Sequence, residues 1–477
     1  MKRSKKTLPN NKLKAFVGFL IAAIVLTTIS YVLINKVVKN TTEINRYTSL
    51  ATDLTGLNGK RNILILFMNN AEMRYGGGFI GTVAYVTVDK GKLSSEPVRS
   101  VYYYDHLYDQ IKYNDSLASP RSEDLQYLTL RNSGLNLDWP VNGNRAREIF
   151  EKESGKSVDY VLAVTPETLK YILKYIGPLK LSDYDKTITP ENIIDSVQTE
   201  VEFGDDKKSG KDPKTILSSI ANELIDKLSH NNLSQLEQVA QGFPDLIAKK
   251  QIILFANNKN IQQDLKRLKM AGNLERFDGD YLQIAEDNLS IDKSSAFIER
   301  TLNKEVIISE SGEVSIRLDI GRTQSRAKSI EYIDPHNDRL TYLIKENKSQ
   351  LSLAVPKGSL ITKDYSNVEL RYRSTEAGVD IYDFMSSLEP FIPSNYKISY
   401  KLPFRLSVSD KAGLTYNSFV QLQNGGWPYK LKTIISVPPG WQLLASSQKD
   451  VYSANGKNFY DTIIGKDQFS SFVYAKR

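Results

Sequence analysis

Asn62-Ile63-Leu64-Ile65-Leu66-Phe67-Met68-Asn69-Asn70-Ala71-Glu72-Met73-Arg74-Tyr75-Gly76-Gly77-Gly78-Phe79-Ile80-Gly81 is the stretch whose reading decides the fold class. A strand with one wet face alternates apolar and polar residues, whereas the unbroken run from Ile63 to Met68 predicts a strand buried on both faces. After the glycines, 79–88 alternates enough to be a second strand, and Asp89-Lys90-Gly91-Lys92 reads as the turn that follows it. Downstream, 146–153 reads as helix, 159–164 as strand and Pro166–Ile176 as helix, with Pro166 in a first turn where its missing N–H is not needed. Between 190 and 250 the apolar spacing is helical: Ile216, Ile220, Leu224 and Leu228 recur every four residues, and Leu233, Leu236, Val239 and Ala240 mark another face. Residues 251–256 return to a compact apolar strand. Strands and helices mixed in this way predict an α/β (or α+β) domain over 61–303.

From Lys304 the pattern changes to period-two runs, such as 305–308, 314–318, 397–402 and 431–437, separated by Gly, Pro, Asn and Asp. Such runs predict an all-β, sandwich-like C-terminal domain over 304–477, the first of whose strands could equally join the preceding sheet. The 27 Tyr and 17 Phe are spread through the β-rich part and fit sheet and core positions better than a ligand platform.

At the other end, the twenty residues from Ala15 to Ile34 carry no charge. As a helix they would cover about 30 Å, the thickness of a hydrocarbon core, so 15–34 reads as a transmembrane helix. Lys2, Arg3, Lys5, Lys6, Lys12 and Lys14 precede it with no acid among them, which keeps a cytoplasmic tail (1–14) inside and the bulk of the chain outside. A cleaved signal peptide is the rival reading, but its apolar region is usually about 7–15 residues and no A-x-A site follows Ile34. Residues 35–60, polar with scattered apolar positions at Tyr47, Leu50, Leu54 and Leu57, read as a short stalk or a leading helix. Of the 63 Lys and Arg, eight lie in residues 1–39 with no acid, leaving 55 basic against 55 acidic residues beyond. The excess positive charge therefore belongs at anionic lipid headgroups, and nucleic acid loses its main support as a partner.

Cysteine is absent, which removes disulfides, thiol nucleophiles and thiolate metal ligands. The three histidines, His106, His230 and His336, are too scattered for a histidine-rich zinc site, while carboxylate-bound magnesium or calcium stays open. Gly76-Gly77-Gly78-Phe79-Ile80-Gly81 satisfies G-x-G-x-x-G, but a dinucleotide site requires a helix next and Thr82–Val88 is strand-like. The glycines therefore predict a bend with positive φ or a close backbone approach. Before them, Asn69, Asn70, Glu72 and Arg74 stand at the end of an apolar strand, where α/β folds place ligands; the alternative is that Glu72 and Arg74 pair with each other and fix the loop. The polar stretch 102–140 carries Asp105, His106, Asp109, Arg121, Arg131, Asn132 and Asp138, and is long for a structureless connection. Asp205–Asp212 reads as a solvated charge run. No nucleophile-elbow, Walker A, zincin or S-x-x-K motif is present, so the sequence names neither a reaction nor a cofactor.

The stretch 62–81 resembles the bacterial DUF4012 family, in which Asn-Ala/Pro-Glu-x-Arg-x-x-Gly-Gly-Phe recurs. Residues 158–166 followed by Ile176-Gly177-Pro178, and Glu286-Asp287-Asn288 with Lys293-Ser294-Ser295-Ala296, resemble its later motifs. The likeness spans about residues 50–320. It implies a membrane-anchored, extracytoplasmic protein whose activity is not established. More distantly, the order of elements is similar to the LytR-CpsA-Psr phosphotransferases, which attach polyprenyl-pyrophosphate-linked glycopolymers to the cell wall. By that analogy Arg74 and Arg131 would bind phosphate. Gly77-Gly78-Phe79 replaces that family's Ser-Asp-Thr, which removes a metal-holding carboxylate on which phosphoryl transfer depends.

The expectation is thus a single-pass protein of the bacterial cell envelope that binds a cell-wall or lipid-linked glycopolymer, with Asn69, Asn70, Glu72, Arg74, Gly77, Gly78 and Arg131 as candidate ligand-binding residues. A glycopolymer phosphotransferase is the second reading, and a non-catalytic scaffold the third.

Overall fold

The computed structural model of the chain describes residues 41–105, 129–209, 215–230, 233–324, 345–408 and 413–476. The expected span at 15–34 lies outside them, as do His106, Asp109, Arg121 and His336. Among the described residues no helix is long and apolar enough to cross a membrane. The architecture is mixed α/β with a β-rich C-terminal region, and the chain divides into two compact units. The first runs to Asn273 without the short segment Ala71–Tyr75; the second holds Ala71–Tyr75 and Leu274–Arg477.

The first unit contains β1 (Arg61–Asn69), β2 (Phe79–Asp89), β3 (Lys92–Ser95), β4 (Arg99–Ser100), β5 (Tyr160–Val164), β6 (Leu179–Leu181), β7 (Lys186–Ile188) and β8 (Ile252–Ala256). Its main sheet has the order β3-β2-β1-β5-β8, with β4 beside β2. Only β1 and β5 run parallel; β2 and β8 flank them antiparallel. The reason for the unbroken apolar run in β1 is now visible. Ile63 and Ile65, with Tyr160 and Leu162 of β5, face a core built with the helices Pro166–Ile176 and Thr215–His230 through Ile172, Ile216 and Ile220. Leu64 and Leu66, with Val161 and Ala163, face the helix Trp139–Ser154 through Trp139, Ala146 and Phe150. The β2–β3 turn is made by Lys90 (φ 48°) and Gly91 (φ 73°), two successive left-handed residues as a tight hairpin demands.

The helix expected at 146–153 starts earlier, at Trp139, because Pro140 fits its first turn and extends it. The charge run expected as a solvated loop instead opens with a single helical turn, Asp205–Lys208, whose ends pair through Lys208 and Asp205.

The second unit contains β9 (Asp280–Asn288), β10 (Ile298–Ile308), β11 (Glu313–Gln324), β12 (Asn347–Pro356), β13 (Leu360–Thr362), β14 (Arg371–Glu376), β15 (Val379–Leu388), β16 (Ser394–Arg405), β17 (Leu414–Gln421), β18 (Tyr429–Ser436), β19 (Trp441–Ser446), β20 (Tyr452–Ala454), β21 (Lys457–Ile464) and β22 (Gln468–Lys476). These form two seven-stranded sheets, β13-β16-β11-β10-β18-β21-β20 and β14-β15-β12-β9-β17-β22-β19. Alternate residues of both, among them Leu302, Ile316 and Ile398 from one and Leu282, Leu353 and Phe472 from the other, join a single apolar cluster. The change of composition expected at Lys304 falls inside β10, and β9, which precedes it, already belongs to this unit.

Candidate functional site

The glycine loop is a backbone device. Gly77 and Gly78 have φ of 122° and 138°. A Cβ on Gly78 would lie 2.6 Å from the carbonyl carbon and oxygen of Asn69 and 2.7 Å from the nitrogen of Asn70, so no larger residue fits without moving backbone. Gly76 donates its N–H to the carbonyl of Gly134 at 2.9 Å. Asn70 is buried beside this turn. From Phe79 the chain enters β2 as a strand, the context that a dinucleotide fingerprint lacks.

Glu72 and Arg74 follow a different logic, because Ala71–Tyr75 packs within the second unit. Arg74 is 1% exposed and donates to the Glu72 carboxylate at 2.7 Å, to the carbonyl of Asn288 at 2.8 Å and to that of Met73 at 3.0 Å. Asp287 stands 3.9 Å from its Nε. The Asn288 N–H returns a bond to the Met73 carbonyl at 3.0 Å, and the Gln423 amide donates to that of Arg74 at 3.0 Å. Burial pushes the Glu72 carboxyl above its ordinary range in spite of the Arg74 guanidinium beside it. Of the two sequence alternatives for this pair, the geometry is that of mutual satisfaction.

Asp287 and Glu286 are neighbours on β9 and therefore face opposite sides of the sheet. Asp287 meets Arg74, whereas Glu286 turns inward to Arg300 (2.6 and 3.1 Å), Arg322 (3.0 Å), Ser295 (2.9 Å) and Ser349 (3.3 Å). Burial alone would raise the Glu286 carboxyl; the two guanidiniums and the Ser295 hydroxyl outweigh it and bring the pKa down to about 2. Arg322 is held further by Asn347 at 3.0 Å and by Ser386. Glu286, Arg300 and Arg322 border a cavity of about 50 Å³ walled by Met73, Leu302, Ile320, Leu351, Trp427 and Tyr429. That volume suits a few waters, whereas a drug-sized ligand needs about 300 Å³ or more.

Arg131 lies in the first unit, at a surface of different character. The turn Val101–Tyr104 buries its first and last residues, Tyr104 packing on Phe150 with ring centroids 4.8 Å apart. Its middle residues, Tyr102 and Tyr103, are thereby turned outward, 49% and 54% exposed. The Arg131 guanidinium lies over the Tyr102 ring at 5.3 Å and that of Arg99 over Tyr103 at 4.1 Å. Arg131 is oriented by Asp105, which accepts from it at 3.0 Å and from the Leu130 N–H at 2.7 Å. Burial raises the Asp105 carboxyl against the pull of the Leu130 N–H and Arg131. Sequence reasoning singled out Arg131 and Asp105 here but missed Arg99, Tyr102 and Tyr103; the signal was the Val101-Tyr102-Tyr103-Tyr104 run, whose period of three puts both ends on one side.

The candidate residues thus separate. Asn69, Asn70, Gly77, Gly78 and Arg131 belong to the first unit and Glu72 and Arg74 to the second. Among the described residues, no group of three or more His, Cys, Asp or Glu side chains is placed to hold a metal ion.

The first unit thus combines a mixed sheet, a positive-φ glycine bend and a central strand buried on both faces. Residues 58–201 match the family described as protein of unknown function (DUF4012). The match takes in the glycine loop and the 158–178 motif, while the Glu286–Asn288 motif lies beyond it. No curated protein matches. Among solved structures, partial likeness extends to a putative nutrient binding protein from Legionella pneumophila (10% identity, 38% of this chain, 67% of that one, TM-score 0.23). Others are an M1 zinc metallopeptidase from Deinococcus radiodurans (11%, 37% and 42%, TM-score 0.21) and a protein from Streptococcus agalactiae (11%, 45% and 75%, TM-score 0.27). The chain spans less than half the length of the metallopeptidase, and at such TM-scores none of these likenesses carries an argument.

Proposed function

We propose that this is a single-pass protein of the bacterial cell envelope, anchored by 15–34 with its bulk outside, whose first unit binds an acidic cell-wall or lipid-linked glycopolymer. The observation that carries this reading is the pair of exposed tyrosine rings at Tyr102 and Tyr103, each beside an arginine. Sugar rings present apolar C–H faces that stack on aromatic rings, and guanidiniums pair with phosphate or carboxylate groups along such a polymer. The second unit, read as a sandwich-like pair of sheets, mediates contacts. Glycopolymer transfer gains less support, because Arg74, its phosphate ligand by analogy, is committed to Glu72 and Asn288.

The test is retention of the purified full chain, in detergent, on isolated acidic wall polymer. Tyr102→Ala with Tyr103→Ala is expected to weaken retention about tenfold, the loss of about 1.4 kcal/mol of sugar–ring stacking. Unchanged retention would remove this surface from the account, and no retention of the unaltered chain would remove the function.

A further inference from the structure

The inward positions of β10 read Leu302, Lys304 and Val306, and those of β9 begin Asp280 and Leu282. Two opposite charges therefore stand inside an apolar cluster, their side chains 1% and 0% exposed. Lys304 Nζ lies 2.7 Å from Asp280 Oδ2 and 2.7 Å from the Ser418 hydroxyl oxygen. The Tyr416 hydroxyl donates to the same Oδ2. The other carboxylate oxygen, Oδ1, is buried with no hydrogen-bond partner among the described residues. Ser418 stands beside Asp280 in the parallel β9–β17 ladder, so these groups are set by sheet register and not by a mobile loop.

An ion pair in such surroundings keeps a large desolvation cost that the Ser418 and Tyr416 contacts offset only in part, and a carboxylate oxygen without a donor adds to it. Condensation removes both. We propose that Lys304 and Asp280 join through a side-chain amide, a covalent cross-link between one strand of each sheet. A proton passes from Nζ to the carboxylate, the neutral amine adds to Cγ, and one carboxyl oxygen leaves as water. Of the three ammonium protons, two depart in that water and one stays on the amide nitrogen, so +1 and −1 become zero and no oxidant or cofactor is consumed. The hydrogen-bonded contact already holds the nitrogen close to the separation of about 3–3.5 Å from which addition proceeds. Tyr416 is positioned to donate to the carbonyl oxygen that remains and Ser418 to accept from the new N–H, so every polar atom of the product has a partner. In a chain without cysteine, no disulfide could supply such a tie.

Intact-mass measurement of the purified full chain decides the matter. The cross-linked protein weighs one water less than its sequence, and after denaturation and tryptic digestion the peptides holding Asp280 and Lys304 are recovered as one branched species. Lys304→Arg, which keeps the charge but cannot form the link, restores the sequence mass whether or not that variant folds. A wild-type mass without the loss would overturn the proposal, as would a loss of water localised to the adjacent Asp278-Gly279 pair with the two peptides separate.

Discussion

Replacing Glu286 by Gln keeps the shape of the side chain and removes the carboxylate that, among the described residues, pairs with both Arg300 and Arg322. Its effect can be worked from two directions. The Glu286 carboxyl is brought from 4.5 to about 2 in the folded protein, a difference worth about 3 kcal/mol between charged and neutral forms. Breaking a buried ion pair while leaving its partner in place costs about 3–5 kcal/mol, and the Arg322 side chain is only 1% exposed. The two routes agree, so the second unit should open about 100-fold or more readily. Amide hydrogen exchange reads this directly: peptides from β9 and β10 lose protection by that factor, while β5 of the first unit serves as the internal reference. The sign with pH follows from the depressed pKa. The stabilisation is present above pH 4.5, is lost as pH falls towards about 2, and is missing in Glu286→Gln, so wild type and variant converge in acid. Protection of β9 and β10 within about threefold of wild type at neutral pH would refute the reasoning, because a buried carboxylate between two arginines could not then be spared so cheaply.

Glu72→Gln should behave in the opposite sense. The raised Glu72 pKa means that its stabilisation is complete below the unfolded value of 4.5 and is lost as pH rises through the folded value, so thermal unfolding of wild type relative to the variant worsens with rising pH. An advantage of wild type that grows with pH would contradict the burial argument. Gly78→Ala should cost at least about 2 kcal/mol, since left-handed strain adds to a clash with fixed backbone, whereas Gly91→Ala, with open space around its Cβ, should cost only about 1 kcal/mol. Paired denaturant titrations check both; equal losses at the two glycines would show that the close approach at Gly78 relaxes freely.

What was legible in the sequence follows from how local the cause was. Ile63–Met68 could be read because burial on both faces leaves no polar residue to hide the strand, and Pro166 marked its helix by a rule confined to one turn. Lys90-Gly91 likewise needed only its own dihedrals. The destination of Arg74 was not legible: its carbonyl partner Asn288 and the Gln423 amide lie 214 and 349 residues further along the chain. Alternation puts Lys304 on the face of Leu302 and Val306, but it could not show the charge that receives it there, because Asp280 comes from a different strand. The tyrosine turn was hidden differently, inside a polar stretch whose length drew attention away from the buried ends at Val101 and Tyr104 that set its outward face.

Calorimetric titration of the full chain with an acidic lipid-linked oligosaccharide, beside the same oligosaccharide stripped of its charged groups, tests the central claim most directly. The account predicts binding to the acidic form that weakens as salt rises and weakens further in Arg99→Ala, with little binding to the neutral form. Equal affinity for both forms, insensitive to salt and to Arg99, would contradict it.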